Sequence, residues 1–279
     1  MTNNTSNKKA NVVSSKKKKK KYKLPKIDLS HWKVTIPAGK DNGKPIEVNP
    51  PEILDYATNE TLKPFMYNDS TKAGGLVFYA YPTNSTTTNT KYSRSELREQ
   101  MVPGKNNVNW TFEQGGVMKG KLRIEEISKD KNGKYHKTII MQIHGRLTNE
   151  QRDLIGAKDN NAPPVLKIYW QNGKIRVKTK VIKIAGLSGN ALLHEEAWGD
   201  DKGHTFKEEV GFGKFTLEVK VSKGKMVVVL NNNEFKVYEN IHMQKWGVFE
   251  NYFKAGNYFQ SRDEDAFARI KYYELTVSH

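Results

Sequence analysis

Apolar and polar residues alternate with a period of two along most of this chain, and helical periodicity is nearly absent. Residues two apart in a strand share a face, so such alternation predicts short strands with one face buried. Strands are expected at 31–37, 75–81, 91–99, 109–112, 117–128, 138–144, 165–170, 174–183, 214–221, 226–230, 234–238, 252–260 and 267–277. Gln171-Asn172-Gly173 and Lys223-Gly224 read as hairpin turns, because such residues accept the backbone geometry that tight connections need. Residues 39–51 read as a loop, 53–57 as one helical turn and 263–266 as a short turn. The stretches 147–164 and 187–212 are polar, rich in Gly and Asn, and too long for simple hairpins. No internal repeat is evident. Many short strands separated by turns predict an all-β fold, a two-sheet antiparallel sandwich or jelly roll.

Three polar segments break the ordinary solvent-face pattern. They are Arg94-Ser95-Glu96-Leu97-Arg98, Gln142-Ile143-His144 and residues 252–260, Tyr-Phe-Lys-Ala-Gly-Asn-Tyr-Phe-Gln. The period of two places Arg94, Glu96 and Arg98 on one face, Gln142 and His144 on one face, and Tyr252, Lys254, Tyr258 and Gln260 on one face. Met141, Ile143, Phe253, Ala255 and Phe259 point the other way, toward a core. A sheet that buries the second set and presents the first builds a polar cleft suited to an anion.

Charge sharpens that picture. The 279 residues carry a formal +17, but residues 1–26 hold ten lysines and no acid, which leaves +7 on residues 27–279. The lysine-rich segment 1–26 is expected to be an unfolded tail, a solubilising linker or a tether to a polyanion. The segment 27–279 is expected to be one folded domain. The start of the chain shows no apolar signal-peptide core, and no apolar run approaches a membrane span. Cysteine is absent, which excludes disulfides and a thiol nucleophile. The seven histidines are scattered and no HExxH stands among them, so no metal or organic cofactor is expected.

The residue types suit an elimination next to a carboxylate. Arg94, Arg98 and Lys254 present cations, and Gln142 adds a neutral donor. Glu96, between two arginines, fixes side chains through charge-assisted hydrogen bonds. His144 can exchange a proton near neutrality, and nearby cations are expected to bring the Tyr258 hydroxyl below its usual range. Taken singly, each residue also fits a structural role: a hydrogen-bonded histidine, a solvated cross-strand ion network, a core tyrosine.

The three segments together carry a resemblance. The chain resembles the alginate lyases of polysaccharide lyase family 7, whose motifs R-[ST]-E-[LV]-R, Q-[IV]-H and Y-F-K-A-G-x-Y-x-Q stand here in order at 94–98, 142–144 and 252–260. Residues 31–37 also look like the family's opening, and the likeness runs over about 28–279. Phe259 departs from the asparagine common in the family, on the face away from the cleft. The resemblance implies a jelly roll with a groove on its concave sheet and β-elimination of 4-O-linked uronate chains, yielding 4,5-unsaturated oligosaccharides. It implies that Arg94 and Gln142 neutralise the substrate carboxylate, that His144 and Tyr258 carry protons, and that Arg98, Lys254 and Gln260 contact substrate with Glu96 as organiser. It further suggests endolytic action favouring guluronate-containing blocks, which the Q-I-H form accompanies, and a secreted or cell-surface monomer. A non-catalytic module for acidic polysaccharides is the competing reading, though binding alone does not require both His144 and Tyr258. Nucleic-acid binding rests only on net charge, most of it in the tail.

Overall fold

The computed structural model describes residues 25–40, 43–70, 74–86 and 90–279. Nearly all of the lysine-rich segment lies outside them. Two antiparallel sheets face each other across a common apolar core. One runs Glu234–Tyr238, Lys225–Leu230, Phe215–Ser222, Gly116–Ile127, Ala268–Ser278, Leu76–Ala80, Met66–Asn68. The other, the site sheet, runs Trp198–Asp200, Lys174–Ile182, Asn161–Gln171, Thr138–Arg146, Glu250–Phe259, Arg94–Glu99, Trp32–Gly39, Pro45–Val48. Sequence-adjacent hairpins alternate with long crossovers that bring Ala268–Ser278 beside Gly116–Ile127 and Glu250–Phe259 between Thr138–Arg146 and Arg94–Glu99, as in a jelly roll. Strand Lys26–Ile27 pairs in parallel with Ala268–Ser278, so regular structure begins one residue before the expected boundary.

The expected hairpins form. Asn172 and Gly173 both take positive φ (49° and 80°), the mirror-image turn whose twist matches its flanking strands. Gly224 (φ 67°) closes the Ser222–Lys225 pair. The helical turn appears at Glu52–Asp55. Both long polar stretches hold more structure than their composition suggests. In the first, Thr148 and Gln151 form a reciprocal capping box that starts helix Asn149–Leu154. In the second, Trp198–Asp200 and His204–Glu209 add to the edge of the site sheet, bonded to Lys174–Ile182. The expected loop 39–51 likewise contains strand Pro45–Val48.

The inward faces fill the core with bulky rings. Trp110, Trp170, Trp246, Phe78, Phe253, Phe259 and Tyr272 are all fully buried with Ile143 and Met141. At the centre of the site sheet the register shifts between Ala255 and Tyr258 and again beyond Ile168. Ile140 and Met141 therefore both enter the core, while Ile139 joins Tyr169 and Tyr258 on the cleft side. Backbone groups freed there are satisfied from across the core: the Tyr272 hydroxyl donates to the Ile140 carbonyl and accepts from the Gly256 N–H. Gly256 sits at φ 134°, and a Cβ there would stand 2.7 Å from the Ser95 carbonyl oxygen. Only glycine lets these two strands close at this point.

Candidate active site

Three strands at the middle of the site sheet carry the three polar segments. Thr138–Arg146 and Arg94–Glu99 flank Glu250–Phe259, with Tyr252 opposite His144, Lys254 opposite both Gln142 and Arg98, and Tyr258 opposite Arg94. The segments predicted to share one face do share it. Their side chains line a cleft of about 510 Å³ that takes in Arg94, Arg98, Gln142, His144, Lys254 and Tyr258. A second hollow, about 730 Å³ beside Tyr79, Tyr81 and the 261–267 loop, is lined by Ser93 and Ser261 beside the three segments but by none of the segments' own residues. Its Asp263 is already paired with His136 at 2.9 Å.

Glu96 lies under the cleft, 1% exposed, and gathers its charged groups. One carboxylate oxygen accepts from Lys254 Nζ at 2.5 Å and Arg94 Nη1 at 3.2 Å; the other accepts from Gln142 Nε2 at 2.5 Å. Glu96 does not itself line the cleft, in keeping with an organiser. Arg94 Cζ lies over the Tyr258 ring, 3.8 Å from its centroid, and its Nη2 is buried with no partner among the described residues. An unspent buried donor is costly unless a ligand meets it.

The His144 Nδ1 lies 2.9 Å from the Gly145 carbonyl oxygen. A carbonyl only accepts, so Nδ1 carries the hydrogen and Nε2 keeps its lone pair. Burial, with Lys254 and Arg94 nearby, pulls the imidazole down to about 3, which keeps it neutral. Burial also lowers the Lys254 ammonium to about 8, against the opposing pull of Glu96. The expectation for Tyr258 is reversed. Burial raises its hydroxyl above the ordinary range and outweighs the lowering by Arg94, so it holds its proton.

Two of the expected substrate contacts are spent on the protein. Arg98 donates to the carbonyls of Glu99 (2.5 Å) and Asn106 (2.9 Å) and to Asn109 Oδ1 (2.7 Å). Gln260 turns its amide back to the Tyr258 carbonyl at 3.1 Å and lies outside the cleft lining. Conversely, the cleft includes groups that strand periodicity did not single out. Lys33, Arg98, Lys254, Gln142 and Lys167 form one unbroken cross-strand row. Seven cations (Lys33, Arg94, Arg98, Arg146, Lys167, Lys180, Lys254) line the cleft against Glu47, Asp159 and Glu195. Alternation along 32–39 put Lys33 on the face of Thr35, but nothing local marks which strand lies beside it. Among the described residues no group of three or more His, Cys, Asp or Glu is placed to hold a metal ion.

A cationic cleft with a neutral base, a protonated phenol and an unspent arginine donor suits a polyuronate. The family model for alginate lyases matches residues 27–279. The chain belongs to the alginate lyases of polysaccharide lyase family 7. An alginate lyase of Klebsiella pneumoniae is 24% identical over 91% of this chain and 90% of its own length. A family 7 alginate lyase, A1-II′, solved with the product GGG, superposes with a TM-score of 0.71 at 27% identity, covering 90% of this chain and 96% of that one. A variant of that enzyme solved with the substrate GGMG gives 0.68 at 27% identity, over 91% and 94%. The Pseudomonas aeruginosa alginate lyase, at 23% identity and a TM-score of 0.66 over 91% and 100%, shares the fold. The jelly roll of this lyase therefore carries its three family segments on one sheet face, over the buried Glu96.

Proposed function

We propose that this alginate lyase cuts within guluronate-containing stretches by anti elimination, with His144 as base and Tyr258 as acid. The observation that carries the reading is the opposed protonation of the pair: His144 is held neutral with Nε2 free, and Tyr258 is held protonated. In guluronate the C5 proton and the leaving O4 lie on opposite sides, so two groups are needed. A phenol that must first lose its proton is poorly prepared for the syn route, in which one tyrosine serves as base and then acid.

The uronate carboxylate docks on the unspent Arg94 Nη2 and the remaining amide N–H of Gln142. Both stabilise the charge that spreads onto the carboxylate as the C5–H bond breaks. Nε2 of His144 takes that proton. The electron pair forms the C4–C5 double bond, the C4–O4 bond breaks, and the Tyr258 hydroxyl protonates O4. Arg94 stacked on the ring stabilises the phenolate that results.

The basic row from Lys33 to Lys167 crosses five strands, roughly 19 Å at the spacing of neighbouring strands. That is longer than one sugar unit and supports attack within a chain rather than at its end. A polymer of this size places the work outside the cell, at the surface or after secretion. The test follows ultraviolet absorbance of the unsaturated product on polyguluronate, polymannuronate and mixed polymer, for wild type and His144→Ala. Loss of about 10²–10⁴-fold on polyguluronate with binding retained is expected. Wild-type turnover by the variant refutes the base.

A further inference from the structure

The His144 ring is the middle of the reaction as read above, yet among the described residues it is tethered by a single hydrogen bond, to the next residue in its own strand. One bond leaves an imidazole free to swing about it. What holds the ring plane is a stack. Tyr252, opposite His144 in register, lies parallel to it, with centroids 5.3 Å apart and planes 10° apart. On Tyr252 sits the Arg98 guanidinium, 4.0 Å from the ring centroid. Arg98 is itself fixed: three of its five N–H donors go to Glu99, Asn106 and Asn109. Asn109 is held in turn by Glu250 at 3.1 Å, and Glu250 by Arg146 at 3.1 Å.

We propose that Tyr252, backed by Arg98, is the positioning residue that fixes the His144 ring plane for proton abstraction, and that Arg98 acts through this stack rather than on the sugar. The inference rests on the reading of His144 as the base. Tyr252 supplies a flat face of the right size at no cost in polar satisfaction, and Arg98 closes its other face through the ring quadrupole. Arg98 pairs with Lys254 in register, so its charge would be expected at the substrate. The geometry directs most of its donors to the 99–109 segment instead.

The test separates ring from hydroxyl and orientation from binding. Tyr252→Phe keeps the stack, and Tyr252→Leu removes it. On the block type that wild type cleaves fastest, Tyr252→Leu is expected to lose roughly ten- to a hundred-fold in kcat, the scale of a misplaced reacting group, with little change in KM. Tyr252→Phe is expected to restore most of kcat. A loss confined to KM, or an equal loss in both variants, overturns the proposal, because Tyr252 would then be a sugar platform or a hydroxyl donor. A second readout needs no substitution at Tyr252. The His144 Cε1–H resonance, identified by its disappearance in His144→Ala, should lie upfield through the ring current of Tyr252. An unshifted resonance in wild type overturns the stack even if Tyr252→Leu does not fold. If His144→Ala turns over normally, the base assignment fails. If it is inactive while Tyr252→Leu turns over normally, only the mount fails.

Discussion

Replacing Glu96 with glutamine should weaken the fold and the site together, in a pH-dependent way. Its carboxylate is 1% exposed and is the only acid bonded to both Lys254 and Arg94 among the described residues. Breaking a buried ion pair by removing one partner costs about 3–5 kcal/mol, because a charge is left uncompensated. Glutamine keeps the shape and can still accept from the two cations, and each neutral hydrogen bond retained returns about 1 kcal/mol. Two such bonds leave a net loss of about 1–3 kcal/mol, which for a domain of this size lowers Tm by roughly 2–12 °C. Lys254 limits the loss. Its ammonium already stands near 8 with Glu96 pulling it up, so without that anion it falls further and sheds its proton near neutrality. The penalty should therefore grow as pH falls and Lys254 is forced to charge, since its folded value lies below its unfolded one. Thermal unfolding of wild type and Glu96→Gln at pH 5.5, 7 and 8.5, with KM on polymer at each pH, measures both effects. A variant within a degree or two of wild type at all three, with unchanged KM, would refute the account of Glu96 as the hub of the cleft.

Tyr258→Phe should fold normally and bind polymer, yet lose about 10²–10⁴-fold in turnover on every block type it cuts; near-normal formation of unsaturated product would assign the acid elsewhere. Lys254 near 8 predicts that kcat/KM declines as pH rises past that value and the ammonium is lost, and that Lys254→Arg, always charged, abolishes this limb if the variant binds. At the end of strand Arg94–Glu99, His279 bonds the buried Glu99 (2.6 Å) and the Gly115 carbonyl, which raise its value above the ordinary one against burial. That stabilisation is full below the unfolded value and is lost as pH rises through the folded one, so His279→Gln should lower Tm at pH 6 and scarcely at pH 9. Equal shifts at both pH values would show that the contact is packing alone.

The three polar segments were legible because each is local: a period of two decides which side chains share a face, and Arg94, Gln142, His144, Lys254 and Tyr258 do meet in one cleft. Lys33 and Lys167 were not, because their membership depends on which strands pair and in what register, a property of the whole sheet. The family resemblance assigned Arg98 and Gln260 to substrate, and their side of the strand agreed with it. Facing a cleft does not say where a donor is spent, and theirs go to backbone and Asn109. The sign of the Tyr258 shift failed for a related reason. Cations can be read from the sequence, but the burial that outweighs them depends on packing, and Ile139 and Tyr169 cluster with the Tyr258 ring only in the folded sheet. Helix Asn149–Leu154 was missed although its Thr148…Gln151 capping box was there to be read.

The same cations serve two ends that pull against each other. A polyuronate needs positive charge to bind, and that charge adds to burial, the larger cause, in holding His144 low and neutral. Left unbalanced, the field would go further and strip Lys254 of its proton, losing the charge that binds. A single buried anion beneath the group resolves the conflict. Glu96 keeps Lys254 charged at neutral pH, and is not among the main groups shifting the imidazole. In the mechanism proposed above, a substrate carboxylate on Arg94 offsets part of the cationic field at His144, while burial still holds the ring low. An acidic sugar in the cleft should therefore raise the His144 value and a neutral sugar should not, which titration of the ring with each sugar bound measures.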